Sequence, residues 1–230
     1  LDAGDPRQIA FTFNCTDGLN LLLRGLLQPG DRVVTTTLEH NSVLRPLEQL
    51  RTVGEVDVEH TPFDPATGIV DVEALMTAVR AGRTRLVVLN HASNVTGVIQ
   101  PVAEIVEAAH DSGALVLLDA AQTAGHVPFS VRRLNVDLLA AAGHKGLLGP
   151  LGTGFVFVRD GLQDDLQPVR SGGTGTSSES LTQPTEMPHK LESGNLNVPG
   201  LAGLNAAVGW IMEQGLETRH ERVSRLTRQL

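Results

Sequence analysis

The sequence predicts an α/β fold in three layers, with helices on both faces of a mostly parallel sheet. Three observations carry that expectation. Short apolar, β-branched stretches alternate with longer amphipathic ones along the chain, and strands alternating with helices build parallel sheets covered on both faces. Glycine is frequent, with 24 residues, while aromatics make up 3% and tyrosine is absent; that suits an α/β protein with tight turns better than a β-sandwich. Polar residues also gather just beyond the apolar stretches, at Glu39-His40, at Asn90 to Asn94 and at Asp119. Ligands of such sheets bind beyond the carboxyl ends of the strands.

Taken in order, residues 9–13 (IAFTF) read as a strand, and 14–18 (NCTDG) as a turn into the apolar helical run LNLLLRGLL, which Pro29-Gly30 ends. A strand is expected at 32–37 and a helix at 42–53 despite Pro46, which disfavours a helix interior. Next come a strand at 55–60, a turn through Pro62 to Gly68, a helix at 71–81 and an apolar strand at 86–89. Pro101 opens the helix PVAEIVEAAHDSG, closed by its glycine. Strands follow at 114–119, near 137–142 and at 154–158. Residues 160–197, rich in Gly, Ser, Thr and Pro and without periodicity, read as a long excursion, functional or mobile. A helix from about Pro199 aligns Leu201, Leu204, Val208, Ile211 and Met212.

At 230 residues and 41% hydrophobic, the chain can bury a substantial core. Its net charge of −8 argues against nucleic acid as a partner, since phosphate binding needs a basic surface. A single cysteine, Cys15, excludes an internal disulfide and a cysteine-rich metal site, and agrees with a reducing, cytoplasmic setting. His91, His126 and His189 show no ligand spacing, so no metal is expected. No apolar run approaches a membrane span. The chain opens on Leu1 and stops inside an apparent helix at Leu230, so an internal fragment of a longer protein is expected.

The chemistry concentrates between Ala114 and Gly154. The chain holds only two lysines, Lys145 and Lys190, among 18 basic residues, and Lys145 stands in Gly143-His144-Lys145-Gly146 after an apolar strand. Burial disfavours the charged form of an amine, and a neutral amine is the nucleophile that forms a Schiff base. Asp119 closes a second apolar strand, where a carboxylate is costly unless paired. Taken singly, Lys145 reads as a surface lysine, Thr16 as a helix cap, His40 as a loop histidine and Asn94 as a loop residue satisfying backbone.

The ordered set NCTDGLN, LEHNSVLRP, NHASNVTG, LLDAAQTAGHVP, GHKGLLGPLGTG and LESGNLNVPG resembles the class V aminotransferase family of pyridoxal-phosphate enzymes, in particular cysteine desulfurases and selenocysteine lyases. The resemblance covers nearly the whole chain. It implies the large domain of the fold-type I transferases over 1–230, with an N-terminal segment and a C-terminal small domain outside it. Residue by residue, it implies Lys145 as the amine that joins the cofactor and moves the substrate's α-proton, and Asp119 as the partner of the pyridine nitrogen. Gln122 would donate to the ring's phenolic oxygen, and Asn94 would contact the same side of the ring. His40 would stack on the ring and serve in proton transfer. Thr16, His144 and the motif containing Cys15 would hold the phosphate. Asn195 would reach the phosphate across a dimer interface, and Gly172 to Gly175 would help build the neighbouring site.

Two positions depart from the pattern: Ala142 where serine is common, and Asn195 where threonine is common. The resemblance further implies a homodimer and an amino-acid substrate, with cysteine taken to alanine and a persulfide left on an enzyme cysteine that Cys15 does not match. A sulfur-acceptor protein would be the partner. A transaminase, a selenocysteine lyase or a non-catalytic scaffold of the same fold would share the motifs.

Overall fold

In the computed structural model, which describes residues 1–229, seven strands form one mixed sheet. The strands are β1 (Ile9–Thr12), β2 (Asp31–Thr36), β3 (Val56–Thr61), β4 (Thr84–Asn90), β5 (Leu115–Asp119), β6 (Leu138–Ala142) and β7 (Gly154–Val158). Their spatial order is β1-β7-β6-β5-β4-β2-β3. The five strands from β6 to β3 run parallel, and β7 lies antiparallel between β6 and β1. The helices are α1 (Cys15–Leu26), α2 (Asn41–Thr52), α3 (Val72–Arg80), α4 (Val102–Asp111), α5 (Val131–Leu134), α6 (Val198–Gln214) and α7 (Leu216–Thr227).

Side-chain alternation along the strands feeds two separate cores. Leu86, Val88, Leu117 and Leu138 face one side, under Leu19, Leu22, Leu23 and Leu26 of α1 and Val43, Leu47 and Leu50 of α2. Val87, Leu89, Val116 and Leu118 face the other, under Leu75 and Val79 of α3 and Ile105 and Val106 of α4. Strands buried on both faces explain the near-continuous apolar runs of β4 to β6. The expected three-layer architecture is therefore present.

Local differences from expectation have local causes. Helix α1 begins at Cys15, earlier than the apolar run implied, because the Asn14 side chain accepts the Asp17 N–H and caps it. Thr16 is thus inside the first turn and is not the cap. Pro46 lies within α2 and is itself buried, so tertiary packing overrides propensity there. Strand β4 extends beyond 86–89 in both directions. The short helix α5 and a 3-10 turn at Pro6–Gln8 were not expected. The last helix is two helices, interrupted at Gly215 with φ +78°; its expected end at Leu230 lies outside the described residues.

The 160–197 excursion carries no helix or strand, as expected. It is tied within itself and to β1: buried Lys190 donates from Nζ to the Gln163 carbonyl at 2.7 Å, and the Phe11 N–H of β1 donates to Glu192 Oε1 at 2.6 Å. No helix among the described residues is long and apolar enough to cross a membrane.

The sheet's rim positions the site. Parallel register sets Asn90 beside Asp119, and Asp119 beside Ala140. Antiparallel register sets Ala142, Gly154 and Thr12 in one row. The ends of β1, β2, β4, β5 and β6 therefore meet at one edge, from which α1, α2 and the Lys145 turn depart.

Candidate active site

That edge encloses an open cavity of about 500 Å³. Of the nine residues singled out from the sequence, eight line it: Cys15, Thr16, His40, Asn94, Asp119, Gln122, His144 and Lys145. Asn195 does not line it and is exposed. Ala142, the missing hydroxyl, does line the wall.

Asp119 is 5% exposed at the end of β5. Its Oδ1 accepts the Ala121 N–H at 2.8 Å and the Cys15 thiol at 3.4 Å; Oδ2 takes no bond among the described residues. The costly carboxylate is thus paired, on one oxygen. Burial pushes its pKa upward, while the Ala121 and Cys15 bonds and the charge of Lys145 oppose the shift. The thiol of Cys15 is pushed well up, by burial first and then by Asp119. Cys15 is therefore a protonated donor to Asp119, which gives it a place in the site that its position in the phosphate-side motif did not foretell.

Lys145 is half-buried and opens into the same cavity. Its turn is shaped by close backbone packing. A Cβ on Gly125, whose φ is +79°, would sit 2.7 Å from Leu147 N, and one on Gly146 would collide with Ala124 O and the His126 ring. The turn after β5 and the turn after β6 are packed backbone to backbone, and only glycine permits it. Arg219 of α7 adds a bond to the Gly146 carbonyl at 2.9 Å.

His40, also on the cavity lining, caps α2: its Nδ1 accepts the Ser42 N–H at 3.1 Å. An Nδ1 that accepts leaves the proton of the neutral ring on Nε2. The Ser42 hydroxyl, 2.8 Å from Nδ1, then donates to it, and accepts from the Thr16 hydroxyl 2.7 Å away. Ser42 was missed from the sequence. Only the meeting of α1 with α2 reveals it as the link between two expected site residues.

His91 is buried beside Thr123 at 2.9 Å and edge-on to Phe129, and burial lowers its pKa to about 4. Among the described residues, no three His, Cys, Asp or Glu side chains are grouped to hold a metal.

The family model for aminotransferase class-V matches residues 1–230. The chain belongs to the class-V aminotransferase family. Among similar members, a probable cysteine desulfurase of Methanothermobacter thermautotrophicus is 39% identical over 97% of this chain and 56% of its own length. A cysteine desulfurase of Serratia proteamaculans is 34% identical over 94% of this chain and 54% of its own. The apo structure of a cysteine desulfurase from Thermococcus onnurineus superposes with a TM-score of 0.87 at 36% identity, over 96% of this chain and 57% of that one. A C-DES mutant with glycine covalently linked to its PLP cofactor gives 0.84 at 29% identity, over 94% of this chain and 59% of that one. This class-V chain thus spans little more than half the length of the relatives it matches.

Proposed function

We propose that this chain is the cofactor-binding large domain of a pyridoxal-phosphate enzyme acting on an amino acid. Cysteine desulfurase is the reading we favour for the whole protein. The observation that carries it is that Asp119, whose Oδ2 takes no bond among the described residues, and Lys145 line one cavity. The likeness to proteins named as cysteine desulfurases supports the choice of substrate.

The residues present fit the cofactor. Asp119 presents an unpartnered carboxylate oxygen to a protonated ring nitrogen. Gln122 and Asn94 supply amide groups for the ring oxygen. His40 offers an aromatic face, and Thr16 and His144 offer donors for a phosphate beside the first turn of α1. The Ala142 methyl takes no part in this, so phosphate affinity rests on those donors and on backbone N–H groups. When bound, the cofactor supplies an electron sink that acidifies the C–H next to the substrate's nitrogen.

The chain's own groups do the rest. Lys145 supplies the amine that holds the cofactor and then carries the substrate's proton. The His40 ring, tied at Nδ1 to Ser42, keeps Nε2 free for proton transfer. Asp119 sets the charge at the far edge of the ring. Asn195 and Gly172 to Gly175 serve the neighbouring subunit of a homodimer. The nucleophilic cysteine and the carboxylate-binding arginine lie in the rest of the whole protein, which works in the cytoplasm with a sulfur-acceptor protein.

The test uses the full-length protein loaded with pyridoxal phosphate. A visible absorbance band is expected, with covalent attachment at residue 145 captured by borohydride reduction and lost in Lys145→Ala. Sulfide release from cysteine with formation of alanine supports the desulfurase. Release from selenocysteine alone makes it a lyase for selenium, and exchange with a keto acid makes it a transaminase. No band under saturating cofactor leaves the scaffold reading and defeats ours.

A further inference from the structure

Two buried oxygens at the rim have no partner among the described residues: Glu39 Oε2 and Asn90 Oδ1. They belong to residues already bonded to each other. Glu39 Oε1 accepts the Thr36 hydroxyl at 2.8 Å, the Asn90 backbone N–H at 3.0 Å and the Asn90 side-chain amide at 3.2 Å. The same amide donates to the Leu38 carbonyl at 3.0 Å, which settles which end of the Asn90 side chain is nitrogen. Glu39 is 6% exposed and Asn90 is 4% exposed. As both orphan atoms are acceptors, no bond joins them unless one carries a proton.

We propose that Glu39 is a neutral acid, protonated on Oε2 and donating to Asn90 Oδ1, and that this acid–amide pair positions His40. A carboxyl group and an amide that share one N–H···O bond can close a second, O–H···O, in an eight-membered ring. That closure satisfies both orphans at once, whereas an ionised Glu39 leaves a buried anionic oxygen with no donor, an expensive state. Charge in the neighbourhood agrees. From β2 and β4 the carboxyl meets the neutral Thr36 and Asn90, and the charged group acting on it from β5 is Asp119, a second carboxylate that opposes ionisation. Burial pushes the Glu39 pKa up to about 8, against those hydrogen bonds.

The consequence falls on His40, the next residue. Thr36 Oγ1 accepts the Leu38 N–H at 3.1 Å, and Asn90 holds the Leu38 carbonyl, so the pair staples the end of β2 to the end of β4. From that staple the chain turns into the cap of α2. Glu39 does not line the cavity, so it acts as a positioning residue.

The test is infrared spectroscopy of the full-length, cofactor-free protein. At neutral pH the wild type should show the carbonyl stretch of a protonated carboxyl group, present in Asp119→Asn and absent in Glu39→Gln. Bands of an ionised carboxylate in the wild type minus Glu39→Gln difference would overturn the proposal. Should Glu39→Gln fail to fold, titration of the wild type suffices: the band must persist through neutral pH and give way to carboxylate in alkaline solution, and its absence at neutral pH overturns the proposal.

The positioning role rests on the cofactor reading and is read from pyridoxal-phosphate affinity by equilibrium dialysis. Glu39→Gln, neutral and able to donate to Asn90 Oδ1, should bind like the wild type, and Glu39→Ala should bind about tenfold more weakly or worse. Equal binding by Glu39→Ala overturns the positioning role. A wild type that binds no cofactor yet shows the protonated band instead sinks the cofactor reading and supports the pair.

Discussion

Replacing Gly146 with alanine tests how the Lys145 turn is held. The added Cβ would collide with the carbonyl of Ala124 and the ring of His126. The His126 ring can swing, but the Ala124 carbonyl is backbone of the turn that carries Gln122 and cannot. Relief therefore requires the two turns to part, by a distance on the order of 1 Å. Overpacking of this kind costs about 1–3 kcal/mol. In a chain of this size each kcal/mol lowers the melting temperature by about 2–4 °C, so a fall of about 2–12 °C is expected. Displacing a reacting group by about 1 Å costs on the order of 100-fold in rate, which sets the expected loss of turnover by the full-length protein. The control is Gly209→Ala, in the interior of α6 with nothing within 4 Å of its Cβ. There the change should stabilise by about 1 kcal/mol through helix propensity. Melting by calorimetry of both variants decides the matter. A Gly146→Ala protein that melts with the wild type and turns over normally would refute the claim that backbone contact between the two turns places the lysine.

Stability against pH should separate two buried groups. The raised Glu39 pKa of about 8 means that the folded state keeps a proton the unfolded chain has lost, so stability falls as pH rises from about 4.5 to about 8, by at most about 1.4 kcal/mol per unit. His91, lowered to about 4, does the opposite: the unfolded chain takes up the proton, and stability falls as pH drops from 6.5 toward 4. The two oppose each other below 6.5, so urea unfolding at 6.5 and 8 isolates the Glu39 slope, and Glu39→Gln should flatten it; an unchanged slope contradicts the assignment. Asn14→Ala removes the side chain that caps α1 and should cost about 0.5–2 kcal/mol in the same assay. Cys15, buried and with its thiol pushed up, should resist alkylation in the folded protein and react only after denaturation, as read by peptide mass spectrometry; rapid modification of the native protein would count against its bond to Asp119.

Much of this was legible in the residue string, and the reason is local. Alternation between apolar strands and amphipathic helices is written within windows of five to twelve residues, so most element boundaries fall within a residue or two of expectation. Asp119 after an apolar strand, and a scarce lysine between glycines, each stood out against the immediate neighbourhood. The failures were also local in origin. Thr16 looked like a cap because the capping power of Asn14 depends on where the helix starts. The C-terminal helix looked continuous because one glycine at 215 is tolerated by the pattern, yet it adopts a positive φ.

What the sequence by itself determined is the class of fold and the cast of polar residues at the strand ends. The tertiary structure alone decided how they act on one another. Strand order brings residues 104 positions apart, Cys15 and Asp119, into a hydrogen bond, and the packing of α1 on α2 links Thr16 through Ser42 to His40. Burial, which no single residue type announces, turns Glu39 from an ordinary rim carboxylate into a group held against ionisation. Periodicity is a property of neighbours along the chain, whereas hydrogen bonds and desolvation depend on neighbours in space, and only the folded sheet supplies those.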